Sequence, residues 1–315
     1  MTDVFSGATG RLPFRLLWGA LLLLPLIELT GHAVIRARVP DRADWKAAAA
    51  HVRELARPDD AFAVAPPWAD PLLRRELGDR IALAEAGRSD LAPFTRLWAL
   101  TIRGHRPAEA PSRPPDQVEH FGRVRVLRWD LGPSPVRFDL VEQVPQAEVS
   151  RARAEGEQSC PWRRLASRGG GLGAGPAVPA ERFVCDSARG HLWVAPTIIE
   201  DLSLEPRHCV WQHPQGRQPV RVRYRDVPLG DRIVLYAGLY YEHERRLEGG
   251  PVDVVIRVDD RVVGRMVHRD GDGWKRMEAS TRGLGARGTV TVEVSAPAPH
   301  LRSLCWAATV REGER

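Results

Sequence analysis

The chain has 315 residues, with 46 Lys and Arg against 40 Asp and Glu, a formal net charge of +6 and four cysteines. That length allows two ordinary domains. Nearly all the positive charge is scattered arginine, Lys46 and Lys275 being the only lysines, and no basic block is interleaved with stacking aromatics, which excludes nucleic acid as a partner.

The first element is an apolar run from Leu16 to Ile27 whose tail fades to Ile35. Arg11 and Arg15 precede it, and Arg36 and Arg38 follow. About 20 residues rise about 30 Å as a helix, so the run can span a bilayer. Glu28 and His32 lie in its C-terminal third, where polar side chains reach the interface. Residues 1–38 are therefore expected to form a signal-anchor or transmembrane segment. Residues 16–35 would contact lipid, and the bulk of the chain would be extracytoplasmic, in the periplasm or at the cell surface. Two alternatives remain open. Gly31-His32-Ala33 has the small-x-small pattern of a cleavage site, which would give a protein secreted after cleavage near Ala33. The segment can also be a buried helix of a soluble protein.

Residues 39–145 read as a small α/β domain. Asp44 is placed to cap a helix through Leu55, and Pro58-Asp59-Asp60 ends it in a turn. Ala61–Ala65 reads as a buried strand and Asp70–Leu77 as a second helix. Short strands are expected at Ile81–Leu83, Arg96–Ile102, Val124–Trp129 and Val136–Val141. Residues 146–184 turn polar and then rich in Gly and Pro, which reads as an interdomain linker. Gly171, Gly173 and Gly175 within it lack the Gly-Lys-Ser/Thr of a phosphate loop.

Residues 185–315 alternate apolar and polar. Val220–Arg225, Ile233–Tyr236, Val252–Val258, Arg261–Val267, Trp274–Glu278, Val290–Val294 and Ser303–Val310 read as strands separated by Gly, Pro and Asp turns. That pattern predicts an antiparallel, jelly-roll-like β-sandwich. The expected fold class is α+β multidomain: one N-terminal transmembrane helix, a small α/β domain and the sandwich.

Cys160, Cys185, Cys209 and Cys305 form no CxxC pair, which argues against zinc and redox centres. An even number beyond an apolar leader fits disulfides in an oxidising compartment, although buried cysteine is also an ordinary core residue. Four cysteines allow three connectivities. Cys209 precedes the sandwich strands and Cys305 lies in the last. First and last strands of such sandwiches are often neighbours, which favours Cys209–Cys305 and leaves Cys160–Cys185 to pair around the linker.

The stretch Asp44-Trp45-Lys46-Ala47-Ala48-Ala49, with Arg57-Pro58-Asp59-Asp60-Ala61-Phe62-Ala63-Val64, Arg96-Leu97-Trp98 and Phe121-Gly122, resembles the extracytoplasmic tail of GT-C class, lipid-linked-sugar-dependent glycosyltransferases over about residues 44–130. The catalytic acids of that class lie on loops between early membrane helices, which this chain lacks, so the resemblance carries over no catalytic residue. The last third resembles galactose-binding-like sandwiches appended to carbohydrate-active proteins, through its strand pattern and Gly273-Trp274. The two resemblances together imply a role in envelope glycan systems.

All four tyrosines fall in the sandwich, and Tyr240, Tyr241, Glu242, His243 and Arg245 share one interstrand run. Aromatic faces stack on sugar rings, while carboxylate and guanidinium groups bond hydroxyls. These five are the candidate ligand-binding residues. Tyr241 is the stronger of the tyrosines, because Tyr240 shares parity with the core-facing Tyr236. The competing reading is a solvated loop over core tyrosines. His208, Cys209 and His213 fit no zinc spacing. His268 to Trp274 reads as a tight hairpin, with the calcium-loop pattern incomplete. There is no Gly-x-Ser-x-Gly elbow and no His-Glu-x-x-His, so no catalytic residue, metal or cofactor is assigned. The expected function is non-catalytic: carbohydrate binding or assistance to an envelope glycan or glycosyltransferase system. Alternatives are a subunit or fragment of a membrane glycosyltransferase, an unrecognised hydrolase whose triad only the fold assembles, or an assembly partner of another envelope protein.

Overall fold

The computed structural model describes residues 14–154, 156–171 and 174–313. It begins with helix α1, Phe14–Arg38, which contains Pro25. Leu21, Leu22, Leu23, Leu24, Leu26, Ile27 and Leu29 on it are all more than half exposed. Among the described residues, no helix is long and apolar enough to cross a membrane.

Helix α2 runs Arg42–Leu55. Its cap is Asp41, whose Oδ1 accepts from the N–H of Asp44 at 2.8 Å; Asp44, expected as the cap, lies inside the helix. The Asp44 carboxylate instead accepts from the Arg123 N–H at 3.0 Å. This pins α2 to the hairpin turn at Gly122, where φ is +56° and a Cβ would lie 1.9 Å from Asp44 Oδ1. Strand β1 (Asp60–Ala65), helix α3 (Asp70–Leu77) and the single turn α4 (Leu83–Ala86) follow. Residues 81–83 were expected as a strand; they lead instead into α4, which lies at the open edge of β1, where side chains take the place of a strand: Glu85 accepts from the Phe62 N–H and Arg88 donates to the Phe62 carbonyl. Strands β2 (Arg96–Thr101), β3 (Gln117–Phe121) and β4 (Val124–Asp130) complete a sheet of order β1-β2-β4-β3, in which only the β1–β2 pair is parallel. Trp45, Ala48, Ala49 and Val52 of α2 pack with Leu73 and Leu77 of α3 on Phe62, Trp98 and Leu100. A buried ion pair locks the parallel strands. Arg96 Nε and Nη2 donate to the two oxygens of Asp60 at 2.7 and 2.6 Å, and Trp98 Nε1 adds a bond of 2.8 Å. The side chains of both partners are more than nine-tenths buried, so breaking either would leave a stranded charge.

The remainder is a β-sandwich that begins at residue 136. Its strands are β5 (Val136–Asp139), β6 (Glu148–Arg153), β7 (Gly156–Ser159), β8 (Trp162–Arg164), β9 (Glu181–Val184), β10 (Trp193–Glu200), β11 (Pro206–Gln212), β12 (Val220–Pro228), β13 (Arg232–Leu239), β14 (Val252–Val258), β15 (Arg261–His268), β16 (Lys275–Ser280), β17 (Arg287–Ser295) and β18 (Leu304–Arg311), with one helical turn, α5 (Tyr241–Glu244), after β13. The larger sheet runs β16-β13-β18-β11-β10-β9-β8, with β5 also paired to β18; the smaller runs β15-β14-β17-β12-β6-β7. All pairs in these two sheets are antiparallel. Val220, Val222 and Tyr224 from one sheet meet Ile233, Leu235, Trp306 and Val310 from the other in a continuous core.

The expected linker over 146–184 is a correction. It supplies β6 to the smaller sheet, register Val220↔Arg151, and β8 and β9 to the larger one. β7 and β8 are short and largely exposed, so their place rests on backbone pairing, whereas β6 and β9 also bury Val149 and Phe183 in the core. Cys160 is joined to Cys185 and Cys209 to Cys305, with Cα separations of 4.4 and 5.6 Å.

Candidate functional site

The outer face of the larger sheet is covered in two places. At one end Trp193 and Trp211 stack at 5.3 Å and pack with Tyr240 and the Cys209–Cys305 bridge. Part of the Gly/Pro-rich segment lies over them: Val178 packs against this cluster, and Tyr240 Oη donates to Gly171 O at 3.4 Å.

At the other end the chain after α4 crosses the sheet and bonds to it residue by residue. His208 N–H donates to Gly87 O at 2.7 Å, Arg207 Nη1 to Arg88 O at 3.2 Å, and Trp274 Nε1 to Ser89 Oγ at 3.1 Å. Asp90 Oδ2 then accepts from both Tyr236 Oη at 2.8 Å and Arg311 Nη2 at 2.7 Å. Gly87 is obligatory in this docking, since a Cβ there would lie 2.4 Å from the backbone nitrogen of His208.

This crossing borders a half-open cavity of about 290 Å³ between the α/β unit and the sandwich. That is close to the lower end of the roughly 300–1,000 Å³ usual for small-molecule sites. Its floor is Val234, Tyr236, Ala307, Thr309 and Arg311, on the outward face of β13 and β18. Phe94 and Pro93 lie opposite with Glu85 and Arg88, and Asp139, Glu142 and His208 close one end. Its lining thus mixes apolar side chains with hydrogen-bonding groups.

Burial sets the protonation of these groups. Glu85 accepts from the Phe62 N–H at 2.7 Å, and burial pushes its pKa up to about 7. Burial also raises Asp139, although the N–H of Val141 donates to it at 2.8 Å. His208 is lowered by burial and sits 3.8 Å from Glu142, so it is a neutral donor and acceptor near neutrality. Tyr236 is pushed up to about 12 by burial and the neighbouring Asp90 charge, and remains a phenol. Glu85, Asp90 and Asp139 are already engaged with the protein, no cysteine lies among the lining residues, and the serine there, Ser89, accepts from Trp274 Nε1. The arrangement is suited to holding a polyol by hydrogen bonds. Among its hydroxyls, Tyr236 is hydrogen-bonded to a carboxylate, Asp90, and burial keeps it a phenol.

The five residues expected to contact a ligand separate into two groups, and none lines this cavity. Tyr240 is 1 % exposed, in the tryptophan cluster, with His243 edge-on at 5.6 Å. His243 turns inward, its Nδ1 2.8 Å from Ser303 Oγ. Tyr241 and Glu242 are half-buried and Arg245 is exposed, and the Arg245 guanidinium lies over the Tyr241 ring at 5.3 Å. Glu244 between them is fully buried, accepts from the Gly273 N–H at 2.8 Å and is pushed up to about 7 by burial. It thereby anchors the turn at Asp270 to Gly273, with φ +89° at Gly271 and +65° at Gly273. Among the described residues no group of His, Cys, Asp and Glu is placed to hold a metal.

Sequence reading missed the cavity. Its lining comes from stretches near residues 58, 80–94, 139–142, 208, 234–236 and 307–311. Only the tight Gly87-Arg88-Ser89-Asp90 run carries a local signal, as a turn, and nothing in it points to a partner 146 residues away.

No family model matches the chain, over 44–130 or elsewhere, and no curated protein matches it. Solved structures do. The CBM51-2 and INT domains of Clostridium perfringens ZmpB in complex with GlcNAc match with TM-score 0.31 and 14% identity, over 52% of this chain and 36% of that one. The CBM51 of Clostridium perfringens GH95 in complex with methyl-galactose matches with TM-score 0.27 and 10% identity, over 37% and 81%. A glycoside hydrolase family 43 arabinoxylan arabinofuranohydrolase from Bacillus subtilis in complex with cellotetraose matches with TM-score 0.28 and 9% identity, over 39% and 25%. The chain thus spans little more than a third of the first of these. At such scores the likenesses carry no argument about ligand or activity, and the sandwich assignment rests on the strand pairing described above.

Proposed function

We propose that the protein is a membrane-tethered, extracytoplasmic and non-catalytic carbohydrate-binding protein. It holds a single sugar residue in the cavity between the α/β unit and the sandwich. The observation that carries this reading is the lining: Phe94, Val234 and Ala307 for the C–H face of a pyranose, and Tyr236, Thr309, Glu142 and His208 for its hydroxyls. The extracytoplasmic placement is supported by the pairing of all four cysteines. The tether is α1, whose exposed leucines would otherwise face water. A role beside a glycosyltransferase would follow from such binding.

The test is isothermal titration of the full chain in detergent against a panel of monosaccharides and short oligosaccharides. A307F puts a phenyl ring into the cavity and should abolish binding, while Y241A leaves it unchanged. Failure of every sugar to bind, or wild-type affinity in A307F, would sink the reading. A second reading places a glycan on the exposed edge formed by Tyr241, Glu242 and Arg245, and is favoured by the half-open Tyr241 ring beneath Arg245. It requires the reverse result, with Y241A silent and A307F binding normally.

A further inference from the structure

A second concave site lies on the other flank of the sandwich. It is a groove of about 610 Å³ along β8, β9 and the turn at Asp186 to Gly190. Leu165, 44 % exposed, and the half-buried Val184 contribute apolar surface to it, and Arg151, Arg163, Arg182 and Arg189 contribute charge, with Asp186 the only carboxylate among the lining residues.

The sheet register makes this charge unusual. Arg163 of β8 stands directly opposite Arg182 of β9. Opposite residues of an antiparallel pair hold their Cβ atoms roughly 4.5–5.5 Å apart on one face, and like charges there are destabilising. The next pair along, Arg164 opposite Glu181, is complementary and lies 4.0 Å apart as an ion pair. Among the described residues Arg163 has no hydrogen-bond or ion-pair partner, and Arg182 donates only to the carbonyls of Ala166 and Pro179. Arg151 and Arg189 share Asp186, at 3.7 and 3.9 Å. Four guanidinium groups thus meet one carboxylate, and the opposed pair is left without any.

We propose that this groove binds an acidic polysaccharide, a chain of carboxylated sugar units, with carboxylates on Arg163, Arg182 and Arg189 and saturated rings on the apolar surface. An anion relieves the repulsion between the opposed arginines and takes bidentate bonds from their guanidinium forks. A carboxylated sugar fits better than a nucleic acid because the one aromatic in the lining, Trp193, is 3 % exposed and offers no platform for a base. The site shares no lining residue with the sugar cavity and does not rest on that proposal.

The test is fluorescence anisotropy of the full chain in detergent with a labelled oligogalacturonate, against a neutral oligosaccharide of equal length and vesicles of anionic phospholipid. Wild type should bind the oligogalacturonate, more weakly as salt shortens the screening length, and should not bind the neutral oligomer. R163E/R189E reverses two exposed charges without touching the core and should weaken binding by roughly tenfold or more. R163Q/R189Q should give an intermediate loss, and near-ultraviolet circular dichroism confirms that each variant is folded. A307F should bind the acidic oligomer normally, which separates this site from the cavity. Equal affinity of wild type and R163E/R189E would overturn the proposal. So would binding to the anionic vesicles alone that is lost in R163E/R189E, which would assign the groove to lipid.

Discussion

Glu85 shows how little a residue's sequence neighbours say about its chemistry. It sits in Ala-Leu-Ala-Glu-Ala-Gly, an unremarked helical turn, yet burial lifts it from 4.5 to about 7. Ionising it therefore costs the folded state more than the unfolded chain. Its contribution to stability is fully present below about pH 4.5, declines as pH rises through about 7, and is constant above that. E85Q keeps an oxygen to accept from Phe62 and cannot ionise. Denaturant titrations of both proteins from about pH 4 to about pH 8 should show the variant gaining on wild type as pH rises, then levelling off. A difference independent of pH would mean that Glu85 has the same pKa in the folded and unfolded states. The buried His213 works in the opposite sense, since burial holds it at about 4, and its share of stability is lost as pH falls below 6.5. Tyr240 and Tyr241 show the limit of local reading at this scale. Parity with a core-facing Tyr236 was expected to bury Tyr240, but Tyr236 lies on the outward face of β13, and Tyr240 is buried instead in the tryptophan cluster on that face.

At the level of elements, alternation and turn residues located β12 to β18, because each strand has one face in the sandwich core and one outside. The same signal was silent for β6 to β9. β7 and β8 are three or four largely exposed residues defined by their backbone partners, β9 turns only Phe183 into the core, and the six residues of β6 alternate in burial but put Arg151 inward beside Val149. Cys209 and Cys305 lie on β11 and β18, which are hydrogen-bonded neighbours, so their bridge follows from strand order. It closes a separation of 96 residues. Loop-closure entropy puts the loss in C209S/C305S at up to about 4–5 kcal/mol. Equilibrium unfolding should show a lower midpoint for this variant, with the Cys160–Cys185 bridge still resisting alkylation. An unchanged midpoint would mean that the bridge does not constrain the denatured chain enough to contribute to stability.

For the whole molecule, two relations matter: how the α/β unit sits on the sandwich, and what covers α1. The first rests on Asp90, which serves both Tyr236 and the nearly buried Arg311. D90A leaves that arginine without its carboxylate and should cost about 3 kcal/mol. It should also loosen the crossing that roofs the cavity, read as faster amide exchange at residues 87–90. The second concerns the exposed apolar helix. Removing residues 1–38 should move the protein from the detergent-extracted fraction to the aqueous one, and a reporter fused after Arg315 should be active only outside the cytoplasm. Retention of the truncated chain in membranes would place the lipid contact elsewhere.

Local sequence settled what local physics can settle. The apolar N-terminal run, helices α2 and α3, the alternating strands of the last third and the even cysteine count all depend on neighbours within a few residues. Tertiary structure alone decided the rest. It recruited the flanks of the Gly/Pro-rich stretch into both sheets, turned Glu85 and Asp90 onto the outer face of the larger sheet, and opposed Arg163 to Arg182. Each of these is a contact between segments far apart in the chain, whose free energy comes from pairing and burial that exist only once the sheets have formed.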